Sequence, residues 1–182
     1  MHYGPVNPPI AEALRAEARR RRGGWIYTID PACDPNGEVP SYAVMGGWQV
    51  DSNGELVRFR HNPNYRPSPQ SRGWSRPENV AEEALQWAAA GYGSEEALKA
   101  ALLDSDLLLF AQPGHLNLHV MPGADGPDIL EACTSERYLP PHWPGAMRLT
   151  GRQLTEMTRG LDLRINPGAV PSVTLSLDDL AG

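Results

Sequence analysis

DILEACTSERYLPPHWPGAMRLTGRQLTEMTRGLDLRINPGAVPSVTLSL, residues 128–177, reads with few gaps as strand, turn, strand, capped helix, strand, turn, strand and a last helical turn. In its middle, Thr150 and Gln153 stand at capping-box spacing. The threonine hydroxyl accepts from the Gln153 backbone N–H while the glutamine side chain reaches back to the Thr150 N–H. Leu149 and Leu154 flank the cap as a hydrophobic staple. Leu154, Met157 and Leu161 recur at helical spacing, and Gly160 stands where a left-handed closing residue is wanted. The spacing therefore predicts a helix of about two to three turns. The period then changes to two: Leu161, Leu163 and Ile165 alternate with Asp162 and Arg164, a half-buried strand. Asn166-Pro167-Gly168 stops it, because proline lacks a donor and glycine supplies positive φ. Val173, Leu175 and Leu177 line one face of the next strand, and Ser176 with Asp179 opens a final helical turn.

Working outward, Leu107-Leu108-Leu109-Phe110 is an unbroken apolar run between polar boundaries, the pattern of a central strand buried on both faces. Pro113-Gly114 turns it into a strand over 115–120. Ahead of it, Ser75 and Glu78 repeat the capping-box spacing before the helix period of Val80, Ala84, Leu85 and Ala88, which runs to Gly91. Ser94 caps a second helix with Glu95 and Glu96 in its first turn and Leu98 and Leu102 on its apolar side. Segment 62–76 carries Pro63, Pro67 and Pro69 and reads as an interdomain linker, a PxxP ligand or an ordered loop. Tyr65 and Trp74 favour a loop packed over the sheet, since a solvated linker rarely needs them. Asn53-Gly54 joins strand-like runs over 42–50 and 55–60, the signature of a type I′ hairpin, with Val57 and Phe59 facing away from Arg58 and Arg60. Gly46-Gly47 marks a bulge. Trp25 to Ile29 forms a strand closed by Asp30-Pro31. A helix begins at Pro8-Pro9 and ends in Arg19-Arg20-Arg21-Arg22, a basic end that complements the helix dipole. The sharper reading of that run is a dock for an acidic partner or for the anionic inner membrane surface.

These elements predict an α+β fold: a mixed, mostly antiparallel sheet with helices packed on it. Three stretches divide the chain: an N-terminal helix with a basic end over 1–22, a hairpin, loop and helical layer over 23–104, and a unit over 105–182 continuous with that layer. At 182 residues, 41% apolar and 21% charged, the composition is that of a globular domain rather than a disordered chain. A net charge of −6 argues against a general nucleic-acid binder. No apolar run approaches the roughly 18 residues of a membrane span, and the start lacks a signal-peptide core, so the expected compartment is the cytoplasm. Two cysteines, Cys33 and Cys133, make no disulfide framework, and reduced thiols are expected.

The run Ile129-Leu130-Glu131-Ala132-Cys133-Thr134-Ser135, then Arg148 to Leu161, then Arg164-Ile165-Asn166-Pro167-Gly168 resembles the SseB-like domain, with its strand ending in Thr-Ser, its helix and its Asn-Pro-Gly turn. Cys133 stands where that pattern carries a bulky apolar residue such as Phe. The front half is similar to the actinobacterial proteins called type VII secretion system-associated. The matching pieces are Trp25 with Asp30-Pro31, Gly46-Gly47-Trp48, Asn62-Pro63, Tyr65-Arg66-Pro67-Ser68-Pro69 and Gly91-Tyr92-Gly93. The resemblance implies a secretion context and transfers no catalytic residue.

The residues themselves offer little chemistry. His115 and His119 on a strand lie about 13 Å apart, too far for one zinc with both nitrogens near about 2.1 Å. Cys133 with His142 would serve as nucleophile and base only within about 3 Å of each other and beside an orienting third group. The carboxylate pairs Glu82-Glu83, Glu95-Glu96 and Asp178-Asp179 read as solvated helix turns, and no phosphate-binding glycine motif occurs. Trp48, Tyr65, Arg66, Trp74, Trp143 and Asn166 are the candidate binding residues, since aromatics with a polar tip suit interfaces. The expected function is a non-enzymatic cytoplasmic accessory protein that binds another protein and needs no cofactor or metal. The alternatives are a thiol-dependent hydrolase using Cys133 and His142, or a module binding a small molecule or peptide near Tyr65-Arg66 and the Asn166 turn.

Overall fold

The computed structural model describes residues 10–114, 117–124 and 126–182. The chain is α+β and divides into two compact units, 1–74 and 75–182.

In the first unit, helix α1 (Glu12–Arg20) lies on an antiparallel sheet of β1 (Trp25–Ile29), β2 (Val44–Val50) and β3 (Leu56–His61) in that order. Leu14 and Ala18 of the helix meet Ile26, Val50 and Leu56 of the sheet in one small core. The β2–β3 turn differs from the expected type I′ form. Among the described residues outside glycine only Asn166 has positive φ, so Asn53 does not take the left-handed conformation and Gly54 alone does, at φ 87°. The Asp51 carboxylate does the holding instead, accepting from the Asn53 and Glu55 N–H groups at 2.9 and 2.8 Å. A side chain at Gly54 would meet the Arg19 backbone within 2.9 Å, so helix end and turn need that glycine. The expectation for Val57 also fails. The ladder jumps from Gln49↔Arg58 to Val50↔Leu56, leaving Val57 as the extra residue. That bulge turns Leu56 inward and Val57 to solvent. The other irregularity falls beside the expected Gly46-Gly47 position, at Met45, between the pairs Thr28↔Gly46 and Ile29↔Val44.

Segment 62–74 is the packed loop, tied down by one carboxylate. Asp30 Oδ2 accepts from Tyr65 Oη, Ser68 N and Ser71 Oγ at 2.7, 3.1 and 2.9 Å, while Oδ1 accepts from Ala32 N at 3.0 Å. Burial pushes the Asp30 carboxyl up, but donors from Ser68, Ala32 and Tyr65 outweigh it, and its pKa lies below the ordinary aspartate value. A depressed folded-state pKa means stability that is present above the unfolded value, about 3.9, and lost as pH falls through the folded one. Protection of the 62–74 amides against hydrogen exchange is therefore expected to drop on acidification below about pH 4, and Asp30→Asn should lower it at neutral pH. Protection indifferent to both changes would show that Asp30 does not hold the loop.

The second unit opens with helices α2 (Val80–Ala90) and α3 (Glu95–Asp104), followed by strand β4 (Asp106–Phe110), the short β5 (Val120–Met121) and β6 (Ile129–Cys133). It continues with β7 (Ala146–Thr150), α4 (Gly151–Met157), β8 (Asp162–Ile165), β9 (Val173–Ser176) and α5 (Leu177–Ala181). The sheet order is β7-β4-β6-β8-β9, with β5 also on β6, and every pair is antiparallel except β6–β8. Alternation puts Leu107, Leu109, Leu130, Ala132, Leu163 and Ile165 on one face, where they meet Leu85, Leu98, Leu102, Leu154, Leu177 and Leu180 of the four helices. The opposite face carries Asp106, Leu108, Phe110, Glu131, Cys133, Arg148 and Arg164. Asp106, Leu108 and Arg148 of that face line one cleft, and Phe110 and Glu131 line another.

The Thr150–Gln153 capping box forms as read. Gly151 opens α4 because a Cβ there would press within 2.2 Å of the Leu102 carbonyl oxygen. Several local expectations shift. Asn79, rather than Ser75, caps α2, its side chain accepting from Glu82 N. Helix α4 closes at Thr158, so Gly160 lies past its end, and Met157 is 61% exposed. Glu82, expected on a solvated turn, is 1% exposed, and Val80 points to solvent in its stead. Among the described residues of the expected 115–120 strand only Val120 pairs as strand, together with Met121 just past it, while His115 and Leu116 lie outside the described residues.

Candidate functional site

One surface of interest lies on the first unit's sheet, on the side away from α1. Cross-strand register lines up Tyr27, Gly47 and Arg60 in one row, and Trp25, Gln49 and Arg58 in the next. A side chain at Gly47 would come within 3.1 Å of the Trp25 ring and 3.3 Å of the Tyr27 ring. The glycine therefore lets both rings lie over the strand. The Arg60 guanidinium sits 5.9 Å from the Trp25 ring centroid, and Tyr27 is 65% exposed. A hollow of about 340 Å³ runs between these rings, Val44 and Asn62. Two arginines beside an exposed Tyr27 and a half-buried Trp25 make a cationic, stacking-competent face of the composition enriched at interaction surfaces.

The second unit holds a polar cleft of about 480 Å³ between the α2 cap, the start of β4 and the end of β6. Glu78, Asp106 and Glu136 contribute carboxylates to it and Arg148 a guanidinium, which bonds Asp106 at 3.3 Å. Thr134 in its wall belongs to a buried network. Its N–H and hydroxyl donate to Asn166 Oδ1 at 2.9 and 3.1 Å, and its carbonyl accepts from Asn79 Nδ2 at 2.8 Å. Glu82 completes the network, accepting from Glu78 N at 2.8 Å and from the Arg137 guanidinium, with its Oε1, 3.4 Å away, the alternative acceptor for the one Thr134 hydroxyl proton. This network fixes the cleft wall rather than supplying a reactive group.

A smaller cleft of about 230 Å³ opens further along the same sheet face, lined by Phe110, His119, Met121, Glu131, His142 and Trp143. The Phe110 and Trp143 rings stand at 89° with centroids 5.3 Å apart, and the His119 ring is 4.5 Å from Phe110. Glu131 is held by Arg164 at 3.3 Å and is largely covered.

The candidate residues read from the sequence separate into structural and surface roles. Trp48 is buried against Phe59 at 5.0 Å. Tyr65 donates to Asp30, and burial, with that carboxylate acting in the same sense, raises its phenol to about 12. The Arg66 guanidinium lies 5.5 Å from the Tyr42 ring, and that of Arg72 lies 5.3 Å from the Trp74 ring. These four belong to the first unit. Trp143 lines the aromatic cleft, and Asn166 is fully buried at φ 53°. Sequence reading missed Phe110, Glu131, Trp25, Tyr27 and Arg60. The alternation of Trp25 and Tyr27 around Ile26 was the available signal for the last group.

Cys133 is fully buried, its Sγ–H donating to the Tyr138 carbonyl at 3.3 Å. Burial, reinforced by the Glu131 charge, pushes the thiol up to about 12. A nucleophile needs the opposite shift. Iodoacetamide at pH 8 is expected to modify the half-exposed Cys33 and leave Cys133 unmodified until the protein unfolds. Rapid labelling of Cys133 in the native protein would contradict the burial described.

Among the described residues no group of histidine, cysteine and carboxylate side chains is placed to hold a metal, and no helix is long and apolar enough to cross a membrane. The family model described as SseB protein N-terminal domain matches residues 81–181, more than half of the 182-residue chain. Searches among curated proteins and among solved structures returned no match.

Proposed function

The chain belongs to the SseB family, and from that premise we propose that it is a non-catalytic accessory protein that binds another protein at a type VII secretion apparatus. The observation that carries this reading is the cationic aromatic face of Trp25, Tyr27, Gly47 and Arg60. Exposed tyrosine, tryptophan and arginine are the residues that concentrate binding energy at protein interfaces. The raised thiol of Cys133 supports the non-catalytic side of the reading, because it is held in the unreactive protonated form. The secretion context comes from the front-half resemblance, and the expected compartment is the cytoplasm.

Tagged protein cross-linked in cells that carry such an apparatus should co-purify a component or substrate of it. Tyr27→Ala with Arg60→Glu should reduce that recovery at least about tenfold, the loss of one aromatic anchor and one charge being about 1.4 kcal/mol or more. The reading fails if recovery is unchanged by both substitutions and deletion of the gene leaves secretion intact.

A further inference from the structure

We propose that the cleft between Phe110 and Trp143 is a binding site for an organic cation, an ammonium or guanidinium headgroup. Three features converge there. The two rings meet at 89° with centroids 5.3 Å apart, so they form adjoining walls of a corner rather than a stacked pair. Aromatic faces attract cations through the ring quadrupole, and in an edge-to-face pair the ring that presents its edge keeps its own face open to a cation. Glu131 lines the same hollow, 15% exposed, and Arg164 holds it by Oε1 alone, which fixes the carboxylate while leaving Oε2 without a partner among the described residues. Met121 supplies an apolar surface against which alkyl groups pack.

Size selects within that chemistry. A hollow of about 230 Å³ lies below the roughly 300 Å³ at which drug-sized pockets begin, so it takes a headgroup rather than a whole cofactor. The same headgroup is carried by free alkylamines and by lysine or arginine side chains of a polypeptide. Because Arg164 offsets the Glu131 charge, affinity rests on the ring faces and is modest.

The site is independent of the first unit's sheet face, and its test separates the two. Tetramethylammonium and guanidinium, titrated into the full chain, should give saturable shifts of the signal of the Met121 methyl group, which lines the same cleft. The uncharged isostere 3,3-dimethylbutanol should bind at least about tenfold more weakly than choline, the discrimination expected from about 1.4 kcal/mol of cation–π attraction. Trp143→Leu should abolish the response and Trp143→Phe retain most of it, with the far-ultraviolet spectrum of both variants unchanged. A trimethyllysine peptide is the second arm: tighter binding than tetramethylammonium assigns the site to a polypeptide, equal or weaker binding to a free amine. Equal affinity for choline and its uncharged isostere would overturn the proposal. So would the absence of saturation with any cation, or a response that survives in Trp143→Leu.

Discussion

Arg137→Met is expected to destabilise the 75–182 unit by about 3–5 kcal/mol, the cost of leaving a buried charge without its partner. Glu82 is 1% exposed, and Arg137 answers its charge while donating to the Arg76 carbonyl at 3.0 Å. Removing the guanidinium strands the carboxylate beneath the Thr134 wall. The pair is conditional rather than intrinsically strong, because desolvating two charges costs nearly what their attraction returns. Combining Arg137→Met with Glu82→Gln should therefore recover about half or more of the loss, since the neutral amide removes the stranded charge and its one oxygen still accepts from Glu78 N. Hydrogen exchange of the β4 and β6 amides reports this unit separately from the other. A single-variant loss below about 1 kcal/mol would place the pair with ordinary surface bridges.

Asn166→Ala should cost about 2–4 kcal/mol through two separable effects. The first is an unpaired Thr134 N–H in a buried site, about 1–3 kcal/mol. The second is a left-handed backbone, φ 53°, imposed on a residue whose Cβ resists it by about 1 kcal/mol or more. Asn166→Gly incurs only the first cost, so it should be the milder variant. If alanine and glycine cost the same, the backbone conformation is not what selects asparagine here.

How much of this was legible in the sequence follows the range of each interaction. The Thr150 box, the Ser94 and Ser176 caps, the β8–β9 alternation and the Asn166 turn are set by residues within about four positions of one another. They emerge as read. The α+β class follows from them, and the family match rests on the same stretch. What escaped depends on partners far along the chain. Glu82 and Gln86 look like the solvated side of a helix, but they are buried, bonding Arg137 55 residues away and the Ser75 carbonyl 11 residues away. Asp30 looks like a strand terminator, yet it gathers donors 35, 38 and 41 residues on. Val57 faces the wrong way because a one-residue bulge inverts the alternation. The aromatic corner has no local signature, since Phe110 and Trp143 are joined only by folding.

We propose that this protein acts through an exposed binding face rather than through a reactive group. The most direct measurement places a photo-crosslinking phenylalanine at position 27, and at exposed position 157 as a control, in cells with a type VII apparatus. The expected result is a discrete adduct at 27 that contains a component or substrate of that apparatus and is missing at 157. No adduct at 27, or the same adducts at both positions, would contradict it.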